Sequence, residues 1–536
     1  MGMKEIKAEA SPEVGTPMWE LFKRKDTVLV AAGSIPCIRE LYILAKLKHK
    51  LNQLYYVRCS NEDYVMGTAE DKIRIGAREA AKISGVRLLI LYLSCPDVLI
   101  RIDFDDLEKS LSRELGLPVL CFYRGPLAKE DNRYRPIEKF MEDLPEEQGA
   151  VSGTPKQIMP PVADMAGVSD WMRLPGNANI VLTPSGCRSC MADGDMEEAQ
   201  DSVYYTEIRK DDVIFGIDES TEKQTDTLME EKKYKSFSLI GTAVPAFIGV
   251  NDEGILKAEM DRGHRGLYFP TDGFHDALSG VAEAERILVR SRRAAWKGAK
   301  GNVVEVFGYA PMLSGDIHQF DECVDYLKRE GLTVRFAGRD DIPEEPALSW
   351  VVTAAGIPAA EFLAETKGTP MVLANPLGHH AMESWKKNVK DLLDGKDRVR
   401  MLKIHNMALP KTRETKILFL GEPMQIMAAA HYFRHAGFYR QRLLTCPWDR
   451  EDRLLYDRAP GGKEWFTAIS TKEELAPYWE EADLTVCDDA FQEIMGEKPH
   501  ISLNTGLFSG RDSTGRESGV LGATFRQDAD EYIRKG

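Results

Sequence analysis

Short apolar, β-branched runs alternate along the chain with longer segments in which apolar residues recur every three to four positions. The first pattern predicts strands buried in a sheet, and the second predicts amphipathic helices packed on it. In the first half the predicted strands are Thr27–Ala31, Leu88–Leu93, Val119–Tyr123, Asn179–Leu182, Phe237–Ile240 and Gly266–Phe269. Val303–Phe307, Thr333–Phe336, Trp350–Val352, Met371–Ala374, Ile417–Leu420, Leu484–Cys487 and Ile501–Leu503 follow. Between them, Asp71–Ile83, Phe320–Glu330 and Met424–Ala436 carry the helical period. Strands alternating with helices of this length imply βαβ units and parallel sheets, an α/β protein.

Breaks in the pattern divide the chain. Asp143–Pro161 is rich in Glu, Gly, Pro and Ser and reads as a linker, and further breaks fall at Gly298–Asn302 and Leu409–Glu414. Four α/β domains are expected, over residues 1–150, 151–300, 301–410 and 411–536. A chain of 536 residues is long enough for that number.

Composition narrows the class. Hydrophobic content of 43% and charged content of 29% are those of an ordinary globular chain. No uncharged apolar run is long enough to span a bilayer, and the first twenty residues lack an apolar signal core, so a cytoplasmic location is expected. The net charge of −15, without a dense basic stripe, argues against nucleic-acid binding. Nine cysteines in such a chain suit metal or redox roles better than a disulfide scaffold.

A repeat lies inside the first half. Gly33-Ser-Ile-Pro-Cys37, Asn61-Glu-Asp-Tyr-Val-Met-Gly67 and Leu91-Tyr-Leu-Ser-Cys95 return as Pro184-Ser-Gly-Cys187, Lys210-Asp-Asp-Val-Ile-Phe-Gly216 and Leu239-Ile-Gly-Thr-Ala243. The offsets are 150 (Cys37 to Cys187), 149 (Asp63 to Asp212) and 148 (Cys95 to Ala243). A nearly constant offset marks two copies of one folding unit, which can pair and bring cysteines at matching loops to a shared centre.

These blocks resemble the nitrogenase component 1 superfamily, whose subunits carry a His-Gly-Pro-x-Gly-Cys strand end, a Glu-Asp-Val-Val-Phe-Gly-Gly loop and a Thr-Thr-Cys strand end. Gly308-Tyr-Ala-Pro-Met-Leu-Ser-Gly-Asp316, Ala355-Gly-Ile-Pro-Ala-Ala-Glu-Phe-Leu363 and Lys416-Ile-Leu-Phe-Leu-Gly-Glu-Pro423 extend the resemblance over nearly the whole chain. It implies a three-domain subunit of Rossmann-like α/β domains, preceded by an extra copy of the first domain. It also implies a cluster of the [4Fe-4S] type between the repeats, reduced by an ATP-dependent partner similar to the nitrogenase iron protein. The substrate would be a small molecule or tetrapyrrole in an interdomain cavity, in an oxygen-free setting.

Several residues depart from the family pattern. Its first cluster cysteine falls near Ser11 and Val162, its third is Cys95 in one copy but Ala243 in the other, and its large-cofactor ligands fall at Ala354 and Asn504. An iron–molybdenum cofactor and dinitrogen reduction are therefore not expected. Cys37, Cys95, Cys187 and Cys190 are the expected cluster ligands, with Cys59, Ser11, Asp63 or Asp212 as alternatives for the fourth. The alternative is that these are buried thiols without a metal. Cys121, Cys323, Cys446 and Cys487 are expected in the core. His379 and His380 follow a predicted strand, and His275 lies in a loop resembling the family's Pro-Gly-Phe; these three are candidate proton donors or metal ligands near the cavity. No Walker A or Gly-x-Gly-x-x-Gly fingerprint is present, so ATP and NAD are not expected on this chain. A non-catalytic scaffold for metallocofactor assembly and a redox-inactive binding protein are the competing readings. A homodimer, or a heterodimer with a related subunit, is open.

Overall fold

The computed structural model describes residues 4–5, 17–123, 127, 134–184, 203–293, 296, 301–342, 344–402, 413–503, 506–509 and 519–535. Two compact units divide them: residues 1–165 with 176–275, and residues 166–175 with 276–536.

The first unit holds two sheets. Apart from β1 (Lys4–Glu5), its strands come in two sets of four. The first set is β2 (Thr27–Ala31), β3 (Leu54–Tyr56), β4 (Leu88–Leu93) and β5 (Val119–Tyr123), parallel in the order β3-β2-β4-β5. The second is β6 (Asn177–Val181), β7 (Val203–Tyr205), β8 (Ser236–Ile240) and β9 (Arg265–Phe269), parallel in the order β7-β6-β8-β9, with β1 antiparallel on β7. Both sets therefore follow the order 2-1-3-4, and the sequence repeat is a repeat of topology. Detail is repeated too: the Ala32 N–H donates to the Tyr92 carbonyl at 3.1 Å, and the equivalent Leu182 N–H donates to the Ile240 carbonyl at 2.8 Å.

The second unit holds two five-stranded parallel sheets. One runs β11-β10-β12-β13-β14, from β10 (Val303–Phe307), β11 (Thr333–Phe336), β12 (Leu348–Val351), β13 (Met371–Leu373) and β14 (Val399–Met401). The other runs β17-β16-β15-β18-β19, from β15 (Ile417–Leu420), β16 (Gln441–Thr445), β17 (Phe466–Ala468), β18 (Leu484–Cys487) and β19 (His500–Ser502). Every strand predicted from the pattern is present within a few residues. Those the pattern missed are chiefly short strands flanking the long central ones, with too few residues to show a period.

Asp143–Pro161 is not a free linker. It contains no strand, yet it is strapped to the first repeat. The Gln157 side chain donates to the Tyr56 carbonyl at 2.8 Å and accepts from the Tyr56 N–H at 2.6 Å, imitating a neighbouring strand on β3. Arg39 donates to the Pro160 carbonyl at 2.6 Å, and Ile158 and Met159 are buried. Side-chain hydrogen bonds replace the backbone ladder that the Pro- and Gly-rich sequence cannot form. Among the described residues, no helix is long and apolar enough to cross a membrane.

Candidate functional site

In a sheet ordered 2-1-3-4 the strand order reverses between the first and third strands, and ligands of open α/β sheets bind at the carboxyl ends of that pair. In the first repeat the pair is β2 and β4. Cys37 lies two residues into the helix Ile35–Leu47 that follows β2, and Cys95 opens the helix Cys95–Leu99 that follows β4. Of the four expected thiols, Cys37 and Cys95 therefore stand at the switch point. Gly33 makes this possible. Its φ is +126°, and a Cβ there would sit 2.2 Å from Ser94 Oγ, so the two loops approach closer than any side chain allows.

The polar groups around these loops are organised. The Ser94 N–H and hydroxyl donate to the Asp97 carboxylate at 2.7 and 3.0 Å, and the Tyr64 hydroxyl donates to it at 3.0 Å. Burial pushes Asp97 up to about 6 against the pull of these donors. The Ser34 hydroxyl donates to the Cys37 sulfur at 3.7 Å. Cys59 is different. It is buried in the first repeat's core, and burial together with Asp97 and Asp63 pushes its thiol up to about 12.

The repeats interlock at this point. Cys95 is buried among core residues of the second repeat, including Leu182 and Val244. Its counterpart Ala243, first residue of the helix Ala243–Ile248, is buried in the core of the first repeat. This exchange brings the β2–β4 and β6–β8 switch points together. The loop Thr271–His275 fastens the join. Phe274 is fully buried against Tyr64 at 5.4 Å and Phe247 at 6.0 Å, and Asn61 donates to Asp272 at 3.0 Å. The Ile35 N–H donates to the Gly273 carbonyl at 2.8 Å. Asp164, buried, accepts from the Asp272 and Gly273 N–H groups at 2.9 Å, and burial beside Asp272 raises its pKa.

The expected residues are thus distributed as follows. Cys37 and Cys95 lie in the segments that follow the adjacent strands β2 and β4. Cys187, Cys190, Ser11 and Asn504 lie outside the described residues. Cys121, Cys323, Cys446 and Cys487 are buried, as expected of core residues. Val162 is fully buried, and so is Ala354, whose N–H donates to Glu422 at 2.7 Å. His275 is the half-buried last residue of the fastening loop in the first unit. His379 and His380 are exposed in the first turn of the helix Gly378–Leu393 in the second unit, following β13 rather than a strand at the switch point.

Two features escaped the sequence reading. The short helices Asn61–Met66 and Lys210–Phe215 each end on exposed apolar pairs, Val65 with Met66 and Ile214 with Phe215, of which Met66 is 76% and Phe215 85% exposed. The pairs are related by the 149-residue offset of Asp63 and Asp212, and each helix carries two acidic residues in its first turn. Also unforeseen, His431 and His435 of the helix Pro423–His435 meet each other, and His435 stacks on His380, although their spacing of four was visible.

Residues 170–445 match the family described as nitrogenase component 1 type oxidoreductase. No curated protein matches. The fold is similar to a solved structure described as nitrogenase Cp1 at pH 6.5, with a TM-score of 0.51 at 11% identity over 75% of this chain and 95% of that one. A second, described as nitrogenase Cp1 at pH 5, gives a TM-score of 0.47 at 13% identity over 75% of this chain and 96% of that one.

Proposed function

Because the chain belongs to the nitrogenase component 1 type oxidoreductase family, we propose that it is the electron-accepting component of a nitrogenase-like reductase, with its redox centre held between its two N-terminal repeats. The observation that carries this reading is the pairing of Cys37 and Cys95 at one switch point, with Cys95 reaching into the second repeat. Members of the family bind iron–sulfur clusters and work with an iron protein reductase.

Cys37 and Cys95 fit half of a cubane's ligand set, which usually numbers four thiolates; Cys187 and Cys190 are the proposed remainder. When bound, such a cluster supplies a low-potential one-electron store. The chain's own residues hold and seal the site. Ser94 and Asp97 fix the loop that bears Cys95, while Tyr64, Phe247 and Phe274 exclude water from the join.

The exposed apolar pairs support a docking surface for the reductase. Two equivalent apolar tips, Val65–Met66 and Ile214–Phe215, suit a partner that is itself twofold symmetric, because each half then meets the same chemistry. The acidic first turns behind them, Glu62 with Asp63 and Asp211 with Asp212, favour a basic rim on that partner. Dinitrogen is not the proposed substrate. Where the family places a cofactor cysteine this chain has Ala354, fully buried, with its N–H committed to Glu422. A small unsaturated molecule or a tetrapyrrole is the proposed substrate class.

Iron and acid-labile sulfide on anaerobically purified protein test the reading. About four irons per chain are expected, lost in Cys37→Ala and in Cys95→Ala. Iron-free wild type after reconstitution would overturn it. Iron retained without reductase-dependent turnover would point to a scaffold instead.

A further inference from the structure

The second unit carries a histidine cluster that the reading above does not use. The helix Pro423–His435 places His431 and His435 four residues apart, hence on one face. Their Nε2 atoms lie 3.2 Å apart, with ring centroids at 4.4 Å and planes at 67°. Two imidazole nitrogens that close must share either a proton or a cation, since two lone pairs would repel. Nitrogens held about 2.0–2.1 Å from a tetrahedral zinc-class ion lie roughly 3.3–3.4 Å apart, so the pair is within a few tenths of an ångström of a chelate.

The surroundings favour positive charge. His435 lies in the last turn of a thirteen-residue helix, where the peptide dipoles present their negative end. The exposed His380 ring stacks on His435 at 4.5 Å and 8°. Its ring lies flat on that of His435, so a rotation of this exposed side chain is required before its nitrogen joins the pair. His380 and His435 open on a cleft of about 220 Å³ that Asp530 also lines. Tyr432 donates its hydroxyl to that carboxylate and anchors it at the cleft.

We propose that His431, His435 and His380 bind one borderline divalent transition-metal cation, of the zinc or nickel class, with the cleft admitting water or a small anionic ligand to the remaining position. Neutral imidazole suits these cations. Two of the three ligands come from consecutive turns of one helix, so little ordering is left to the metal. The site depends on no cysteine.

The probe is Co²⁺ alone, titrated anaerobically into the full-length chain and read by visible absorption, then displaced with Zn²⁺. One equivalent whose d–d bands persist in Cys37→Ala is expected, separate from any thiolate charge-transfer band that the cysteine site adds. His435→Gln and His380→Asn should each weaken binding about tenfold or more, while His379→Asn leaves it as in wild type. His380 is exposed and His435 half-buried, so both variants keep the fold, whereas the buried His431 is the riskier change. Wild-type affinity in both variants, or Co²⁺ bound only through thiolates, would overturn the proposal. Because Cys37→Ala removes the redox site and spares this one, the two readings fail separately.

Discussion

Gly33 shows how much one residue decides. It holds a left-handed φ of +126° and lies where any Cβ would collide with Ser94, so both backbone strain and contact select glycine. Gly33→Ala must push apart the loops bearing Cys37 and Cys95. We expect a loss of about 1–3 kcal/mol in denaturant unfolding, with iron content falling further than that destabilisation explains. Normal iron in the folded variant would show that the thiols do not depend on this approach.

At the scale of elements, the protein joins its parts through buried carboxylates and aromatic rings. Glu285, on the helix Ala277–Arg293, accepts from the Gly308 N–H at 2.8 and 3.0 Å and from Trp171 Nε1 at 3.2 Å, tying that helix to the end of β10. Burial, with the nearby Glu305, pushes Glu285 from 4.5 up to about 8. The folded chain therefore binds this proton more tightly than the unfolded chain. Its contribution is complete below about 4.5 and is lost as pH rises through about 8. Unfolding free energy should fall across that window, and Glu285→Gln should flatten the fall by an amount on the order of a few kcal/mol. A pH profile identical to wild type would refute this. Phe274→Ala tests the aromatic join of the repeats. Removing a fully buried ring should cost about 3–5 kcal/mol and loosen the proposed cluster site with it, read as lower Tm and lower iron.

At the scale of the molecule, the exposed apolar pairs make a prediction that internal stability does not. Met66→Lys combined with Phe215→Lys changes only surface residues, so Tm and iron content should stay near wild type. Reductase-dependent turnover should drop by about 100-fold or more if these tips anchor the partner, since central aromatic and methionine contacts carry much of an interface's energy. Turnover at the wild-type level would place the docking surface elsewhere.

The sequence by itself determined the α/β class, the long strands and the repeat. Those signals are local, or repeat at a fixed offset, and the resemblance named the family that residues 170–445 match. It also placed Cys37 and Cys95 at strand ends, because a loop after a strand is legible without knowing which strands are neighbours. Only the tertiary structure decided that β2 and β4 pair across the switch point, and that Cys95 and Ala243 exchange cores. It alone showed that Asp143–Pro161 is a strap and that His380 stacks on His435, which in turn meets His431. Each of these depends on contacts between residues distant in the chain, which strand order and packing fix and periodicity does not encode.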